Sequence, residues 1–267
     1  MDMKKSEKRR VMYFVVACVF FIVFLCGVLY IFNYYSKQKN AQEQYVEIKE
    51  DTEVDSQIKE TLPEETVFEE SLTWRKDRKI NFTELWKTNE DIYSWIEIPG
   101  TQVDYPVLQH PTDDVYYLDH TVDHVKGLPG SIYSEGIHPK DFSAKNTVLY
   151  GHNMKNDSMF GSLHNYEDEE FFKNHPYVYI YLPKCTLVYK IFAAVKFSDV
   201  YLPTYCEYDN FDEFFKYIEE IKMSQGNINE DVVFSEDSKI LTMSTCVANQ
   251  PKNRFLVEAV LIDEYEN

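Results

Sequence analysis

Residues Val11 to Tyr35 form a run of 25 positions without a single charged side chain. At about 1.5 Å of helical rise per residue, such a run is long enough to cross a hydrocarbon layer of about 30 Å. It is read as a transmembrane helix. A cleaved signal peptide is the competing reading, because a basic stretch precedes the run. The run is too long for an ordinary signal core, and Asn33-Tyr34-Tyr35-Ser36 follows it where a small-x-small cleavage site would be needed. An uncleaved anchor is therefore expected. Lys4, Lys5, Lys8, Arg9 and Arg10 precede the span, which predicts a cytoplasmic N-terminus; Lys37 and Lys39 weaken that asymmetry without reversing it. The expected organisation is a cytoplasmic tail over 1–10, an anchor over 11–35, an acidic extracytoplasmic stalk over 36–72 and a folded domain over 73–267 on the outside of the cell membrane.

The tail holds five basic and two acidic residues, which leaves 22 basic and 43 acidic residues beyond it, a balance of −21. A surface of that sign repels nucleic acid and anionic lipid, so no nucleic-acid partner is expected. A basic or neutral polypeptide is the easier partner. The stalk belongs to a glycine-free stretch from Val28 to Pro99 and is rich in Glu, Gln, Lys and Asp, as a helical or partly disordered spacer would be.

Next, Asn81 and Glu84 have capping-box spacing, and Phe82, Leu85, Trp86, Ile92, Tyr93 and Ile96 give one apolar face to a helix over that region. From Trp95 onward the texture changes to short apolar, β-branched and aromatic runs. The candidate strands are Trp95 to Ile98, Val103 to Leu108, Ser131 to Tyr133, Thr147 to Tyr150, Val178 to Leu182, Leu187 to Val200, Lys239 to Thr245 and Phe255 to Ile262. Many short strands without alternating long helices point to an all-β sandwich or barrel. One helix interrupts them. Asn210 and Glu213 form a capping pair, Phe211, Phe214, Phe215, Ile218 and Ile221 recur at helical spacing, and Gly226 is positioned to stop the helix.

Five cysteines are present. Cys18 and Cys26 lie in the membrane span as small apolar residues, and a Cys185–Cys206 pair is conceivable from a hairpin turn and a following strand. Cys246 then remains, at the end of Lys239-Ile240-Leu241-Thr242-Met243-Ser244-Thr245-Cys246, with Arg254 heading the next apolar run. A thiol attacks well only as thiolate and so needs a partner to take its proton. His110, His138 and His175 precede prolines, and His120, His124 and His164 sit in polar loops without special neighbours. His152 differs, because in Tyr150-Gly151-His152-Asn153-Met154 it follows a strand end and a glycine. No cluster has convincing metal-ligand spacing, and neither metal nor cofactor is expected.

These segments together resemble the sortase family of membrane-anchored cysteine transpeptidases, in details like class B. The resemblance spans roughly Trp86 to Ile262. It is carried by Ile98-Pro99-Gly100-Thr101-Gln102-Val103-Asp104-Tyr105-Pro106-Val107, Tyr116-Tyr117-Leu118, Gly130-Ser131-Ile132-Tyr133, Leu149-Tyr150-Gly151-His152-Asn153-Met154, Met159-Phe160-Gly161-Ser162-Leu163 and Leu241-Thr242-Met243-Ser244-Thr245-Cys246. It implies a closed β-barrel of about eight strands with peripheral helices. It also implies that Cys246 is the nucleophile attacking the threonine carbonyl of a C-terminal sorting motif, that His152 is the acid/base, and that Arg254 positions substrate and steadies the oxyanion. Ser244 and Thr245 would line the groove, Leu118 and Tyr205 would contact the sorting peptide, and the helix from Phe211 would wall the groove.

The implied partners are secreted proteins bearing a C-terminal sorting signal, with a peptidoglycan-precursor amine or a pilin lysine as acceptor. A silent binding module for such peptides is the alternative from another functional class. The sequence departs from the family pattern at Asp114, where many relatives have Asn, and at Val247, where some have an acidic residue. Both departures bear on the choice of sorting motif.

Overall fold

The computed structural model describes residues 2–52, 75, 78–205 and 211–266. The chain divides into two compact units, Met1–Gln44 and Tyr45–Asn267. The first is carried by helix α1 (Asp2–Thr52), whose segment from Val11 to Tyr35 leaves Phe14, Phe20, Tyr30 and Phe32 exposed around the helix. A helix apolar on every side suits lipid rather than water. Among the described residues it is the one helix long and apolar enough to cross a bilayer.

The second unit is a barrel of β1 (Ile92–Glu97), β2 (Asp104–Leu108), β3 (Ile132–Tyr133), β4 (Asn146–Tyr150), β5 (Tyr177–Tyr181), β6 (Cys185–Ser198), β8 (Ile240–Cys246) and β9 (Asn253–Glu266). Their order is β5-β1-β2-β3-β4-β8-β9-β6, and a β5–β6 pairing closes the ring. The closed barrel of eight strands implied by the resemblance is therefore present. A ninth strand, β7 (Gln225–Ile228), had no alternating pattern to reveal it. It pairs with the second half of β6, on the edge whose first half is taken by β5. Gly226 lies in this strand instead of capping a helix. A Cβ there would meet the Ala194 carbonyl oxygen at 2.1 Å, so only glycine lets the two backbones approach.

Both faces of the strands around the site are covered, and the alternation shows which residue serves which side. Leu149, Leu241, Met243 and Val257 point into the barrel core, whereas their neighbours Val148, Ile240 and Leu256 join an outer cluster. That outer cluster lies under the helix Phe211–Lys222, through Phe214, Tyr217, Ile218 and Ile221. Its apolar stripe is thus spent on docking to the outer face of β4, β8, β9 and β6. Fully burying each such side chain contributes about 1.5–3 kcal/mol. The expected cap Asn210 lies outside the described residues.

The sequence expectation of one helix from Phe82 through Ile96 is corrected. Helix α2 (Phe82–Thr88) is capped by the Asn81 carboxamide, which accepts from the Glu84 amide, and it ends at Asn89. Asn89 is buried and donates to the Val122 carbonyl at 2.7 Å and to the Tyr117 hydroxyl at 2.9 Å. These bonds turn the chain, and Ile92, Tyr93 and Ile96 become β1, buried on both faces. A strand covered on both sides has no alternation with which to declare itself.

Tyr45–Thr52, the last turns of α1, belong to the barrel unit, where the Tyr45 hydroxyl donates to the Gly130 carbonyl at 2.9 Å. Arg78 lies buried beside them, donating to Glu97 at 2.7 Å and to Asp104 at 2.8 Å, and Lys49 pairs with the same aspartate. Residues 53–74 lie outside the described set.

Candidate active site

The parallel pair β4–β8 holds a constant register, from Asn146 opposite Ile240 to Tyr150 opposite Ser244. Carried two residues further, it sets His152 level with Cys246. On the other side of β8, Cys246 is the direct cross-strand partner of Arg254 at the start of β9. Three adjacent strands therefore bring an imidazole, a thiol and a guanidinium to one level, and residues directly opposite in a sheet project to the same face. It is the outer face, the one lined by Ile240, Thr242 and Ser244 along β8. Burial stops between Ser244, 3% exposed, and Cys246, which is exposed.

Local bonds fix the pair of strand ends. The Gly151 amide donates to the Ser244 carbonyl at 3.2 Å, and the Thr245 hydroxyl donates to the Gly151 carbonyl at 2.8 Å. Gly151 is required by crowding, since a Cβ there would lie 2.5 Å from Ile132 Cδ1 and 2.7 Å from the Phe160 ring. A side chain at this position would push the His152 loop off the barrel.

His152 is partly exposed, and its Nε2–H donates to the Leu118 carbonyl at 2.6 Å. That bond assigns the proton to Nε2 and leaves Nδ1 as the basic nitrogen. Leu118 ends a 3-10 turn, Tyr116–Leu118, and its side chain is 44% exposed, so the turn orients the histidine through its backbone and offers an apolar surface beside it. Arg254 donates through Nη1 to the carbonyls of Pro251 and Asn253 at 3.1 and 3.0 Å, which folds it onto its own hairpin.

Ser244 and Thr245 are buried, and Thr245 serves the strand pair. Tyr205 ends the 3-10 turn Leu202–Tyr205, but its side chain lies outside the described residues. Asp114 accepts from the Gly136 amide at 2.7 Å, which commits one of its oxygens to the loop. Val247 is buried. Cys185 is a free thiol whose pKa burial, helped by Glu264 and Glu266, pushes up to about 11; Cys206 lies outside the described residues.

Two features had no signal in the sequence. Glu135 accepts from the Tyr201 hydroxyl at 2.5 Å, and burial raises its carboxyl above the usual range, with Tyr201 and Tyr150 opposing and Asp114 adding to the rise. The Tyr133 hydroxyl nearby is held protonated, chiefly by burial and next by the charge of Glu135. The second feature is His164, expected to be a plain loop residue. It lies 3.1 Å from the Cys246 carbonyl oxygen and 2.7 Å from Glu167. Among the described residues no group of three or more His, Cys, Asp or Glu side chains is placed to hold a metal ion.

Residues 96–262 match the family model described as the sortase domain. Sortase B of Listeria monocytogenes is 32% identical over 181 residues, covering 67% of this chain and 73% of that protein. The crystal structure of Clostridium perfringens sortase B superposes with a TM-score of 0.63 at 29% identity, over 68% of this chain and all of that one. A class B sortase of Streptococcus pyogenes involved in pilus biogenesis superposes with a TM-score of 0.59 at 25% identity, over 68% of this chain and 98% of that one.

Proposed function

The chain belongs to the sortase family of cysteine transpeptidases, and from that membership we propose that it is a membrane-anchored class B enzyme that joins secreted proteins to an amine of the cell wall. Residues 11–35 anchor it with the N-terminus in the cytoplasm, and the barrel works on the outer side. Cys246 is the nucleophile, His152 the acid/base and Arg254 the anion-stabilising cation. The observation that supports these roles best is the shared level of the three residues on adjacent strands.

In this reading the Cys246 thiol gives its proton to His152 Nδ1 and attacks the carbonyl carbon of the threonine in the sorting motif. Arg254 steadies the charge that gathers on the carbonyl oxygen. Swinging off the hairpin carbonyls costs it only neutral acceptors, whereas an oxyanion offers a charge-assisted bond. Collapse of the tetrahedral intermediate breaks the peptide C–N bond, and His152 delivers the proton to the departing amine. An acceptor amine then attacks the thioester, loses a proton to His152, forms a new amide and releases Cys246. The similarity to a pilus-biogenesis sortase favours a second reading of the acceptor, a pilin lysine in place of a wall amine.

Activity and acceptor are tested together by incubating the full chain in detergent with quenched peptides carrying different Pro-x-Thr motifs, with and without amine acceptors. Cleavage that depends on Cys246 and an amide product that depends on the amine are expected. If no peptide is cleaved and Cys246→Ala binds the same peptides unchanged, the chain is a binding module.

A further inference from the structure

Behind the thiol, the main chain of Cys246 is held by side chains that the reaction scheme does not use. The Asn153 carboxamide nitrogen donates to the Cys246 carbonyl at 2.9 Å and lies 2.9 Å from His164 Nε2. His164 Nδ1 lies 2.7 Å from a Glu167 carboxylate oxygen. His164 Nε2 also lies 3.1 Å from the Cys246 carbonyl oxygen, and since it cannot donate there while accepting from Asn153, the arrangement that keeps the shorter contacts leaves Asn153 as that carbonyl's donor. Asn153 has two amide protons, one for the Cys246 carbonyl and one for Nε2, so Nε2 accepts and Nδ1–H donates to Glu167. The imidazole is also clamped face to face on the buried Phe255 ring, with centroids 4.7 Å apart and planes 20° from parallel.

The sequence positions of these partners matter. Asn153 directly follows His152, and Phe255 directly follows Arg254. The chain Glu167–His164–Asn153–Cys246 thus ties the loop carrying the acid/base, the strand end carrying the thiol and the strand start carrying the guanidinium. It does so from the barrel-core side, on which Thr245 and Phe255 are paired, while the thiol itself projects outward. Cys246 is the last residue of β8, so no later strand pairing fixes the orientation of its carbonyl. The Asn153 carboxamide does, itself held by the imidazole.

We infer that Asn153, His164 and Glu167 are positioning residues that lock the Cys246 backbone against the His152 loop, with His164 acting through Asn153. This rests on Cys246 being the nucleophile. A freed carbonyl lets the peptide plane rotate and the thiol sample geometries unsuited to attack. A small misplacement at the reacting centre is enough to lower the rate. The effect belongs to the chemical step, because none of the three residues needs to touch the peptide.

The test measures transpeptidation of a cleavable sorting peptide by the full-length chain in detergent, with Asn153→Ala, His164→Ala, His164→Gln, Glu167→Gln and the double variant Asn153→Ala/His164→Ala. Loss of one such hydrogen bond corresponds to about tenfold in kcat. The expected result is a drop of about that size for Asn153→Ala and His164→Ala at nearly unchanged KM. The double variant should be no worse than the worse single one, and His164→Gln, whose side-chain oxygen can still accept from Asn153, should recover part of the rate. Thermal unfolding of each variant is recorded beside it.

Wild-type kcat in both single alanine variants overturns the inference. So does a double variant whose losses multiply, or a His164→Gln variant as impaired as His164→Ala. Cys246→Ala serves as the control. If it retains transpeptidation, the nucleophile assignment itself has failed; if it is inactive while the other variants match wild type, only the positioning relay has.

Discussion

Replacing Glu258 by glutamine should remove the pH dependence of part of the barrel's stability. Glu258 is fully buried on the outer face of β9, under the docked helix and paired across the sheet with Thr242. The Tyr217 hydroxyl donates to one carboxyl oxygen at 2.8 Å, and the Thr242 hydroxyl lies 2.8 Å from the other. Thr242 is also 2.9 Å from the Asn146 amide oxygen. One hydroxyl proton cannot serve two acceptors. If Thr242 donates to Asn146, the proton between Thr242 and Glu258 must be the carboxyl's own, which makes Glu258 a neutral acid.

Burial drives its pKa the same way, from 4.5 up to about 7, against the opposing bonds from Thr242 and Tyr217. For an acid whose folded pKa is raised, the stabilisation is fully present below the unfolded value of 4.5 and is lost as pH climbs toward 7. At about 1.4 kcal/mol per pKa unit, this amounts to about 3 kcal/mol between pH 4.5 and pH 8. Urea unfolding followed through the fluorescence of the buried Trp95 measures it.

Glutamine keeps the shape and stays neutral, but leaves one buried N–H unpaired at a cost of about 1–3 kcal/mol at every pH. Glu258→Gln should therefore be less stable than wild type near pH 4.5, and the gap should close by about 3 kcal/mol by pH 8. A gap that stays constant within about 1 kcal/mol would refute the reasoning, because Glu258 would then titrate alike in the folded and the unfolded chain.

Arg78→Ala should destabilise the unit by about 3–5 kcal/mol in denaturant titrations, because it strands Glu97 and Asp104 without their buried partner. Burial alone would raise the Asp104 carboxyl, but Arg78 and Lys49 hold it below its ordinary value. Its stabilisation is therefore complete above about pH 4 and lost in stronger acid, so Asp104→Asn should blunt acid unfolding there. Arg254→Ala should lower kcat by roughly 10²–10³, about 3–4 kcal/mol, with little change in thermal stability. Gly226→Ala should destabilise the β6–β7 edge, seen as faster amide exchange at Asn227 and Ile228, because the added methyl collides with the Ala194 carbonyl.

How far these features were legible in the sequence differs from residue to residue. Lys239 to Thr245 and Thr147 to Tyr150 announced themselves as strands by their β-branched and aromatic content, and the glycine after Tyr150 marked His152. Their adjacency was not legible. It depends on a parallel pairing between segments 94 residues apart, which local pattern cannot encode. Tyr93 and Ile96 read as helical in the sequence because a strand buried on both faces mimics a helix face over so few residues. Gln225-Gly226-Asn227-Ile228 lacked any apolar alternation and became a strand only because half of one edge of β6 lay open. His164 looked like a loop residue for a similar reason. Its significance comes from Phe255, Asn153 and the Cys246 carbonyl, all remote from it in sequence.

The central claim is that Cys246 captures the acyl half of a sorting peptide before an amine releases it. The most direct measurement is intact mass spectrometry of the full-length chain, mixed with a cleavable sorting peptide without amine and quenched in acid, followed by mapping of the modified residue. The account predicts an adduct equal to the peptide's acyl portion on Cys246. The adduct should persist longer in His152→Ala if any forms, and added amine should discharge it. Peptide turnover without an adduct on Cys246, or an adduct on another side chain, would contradict it.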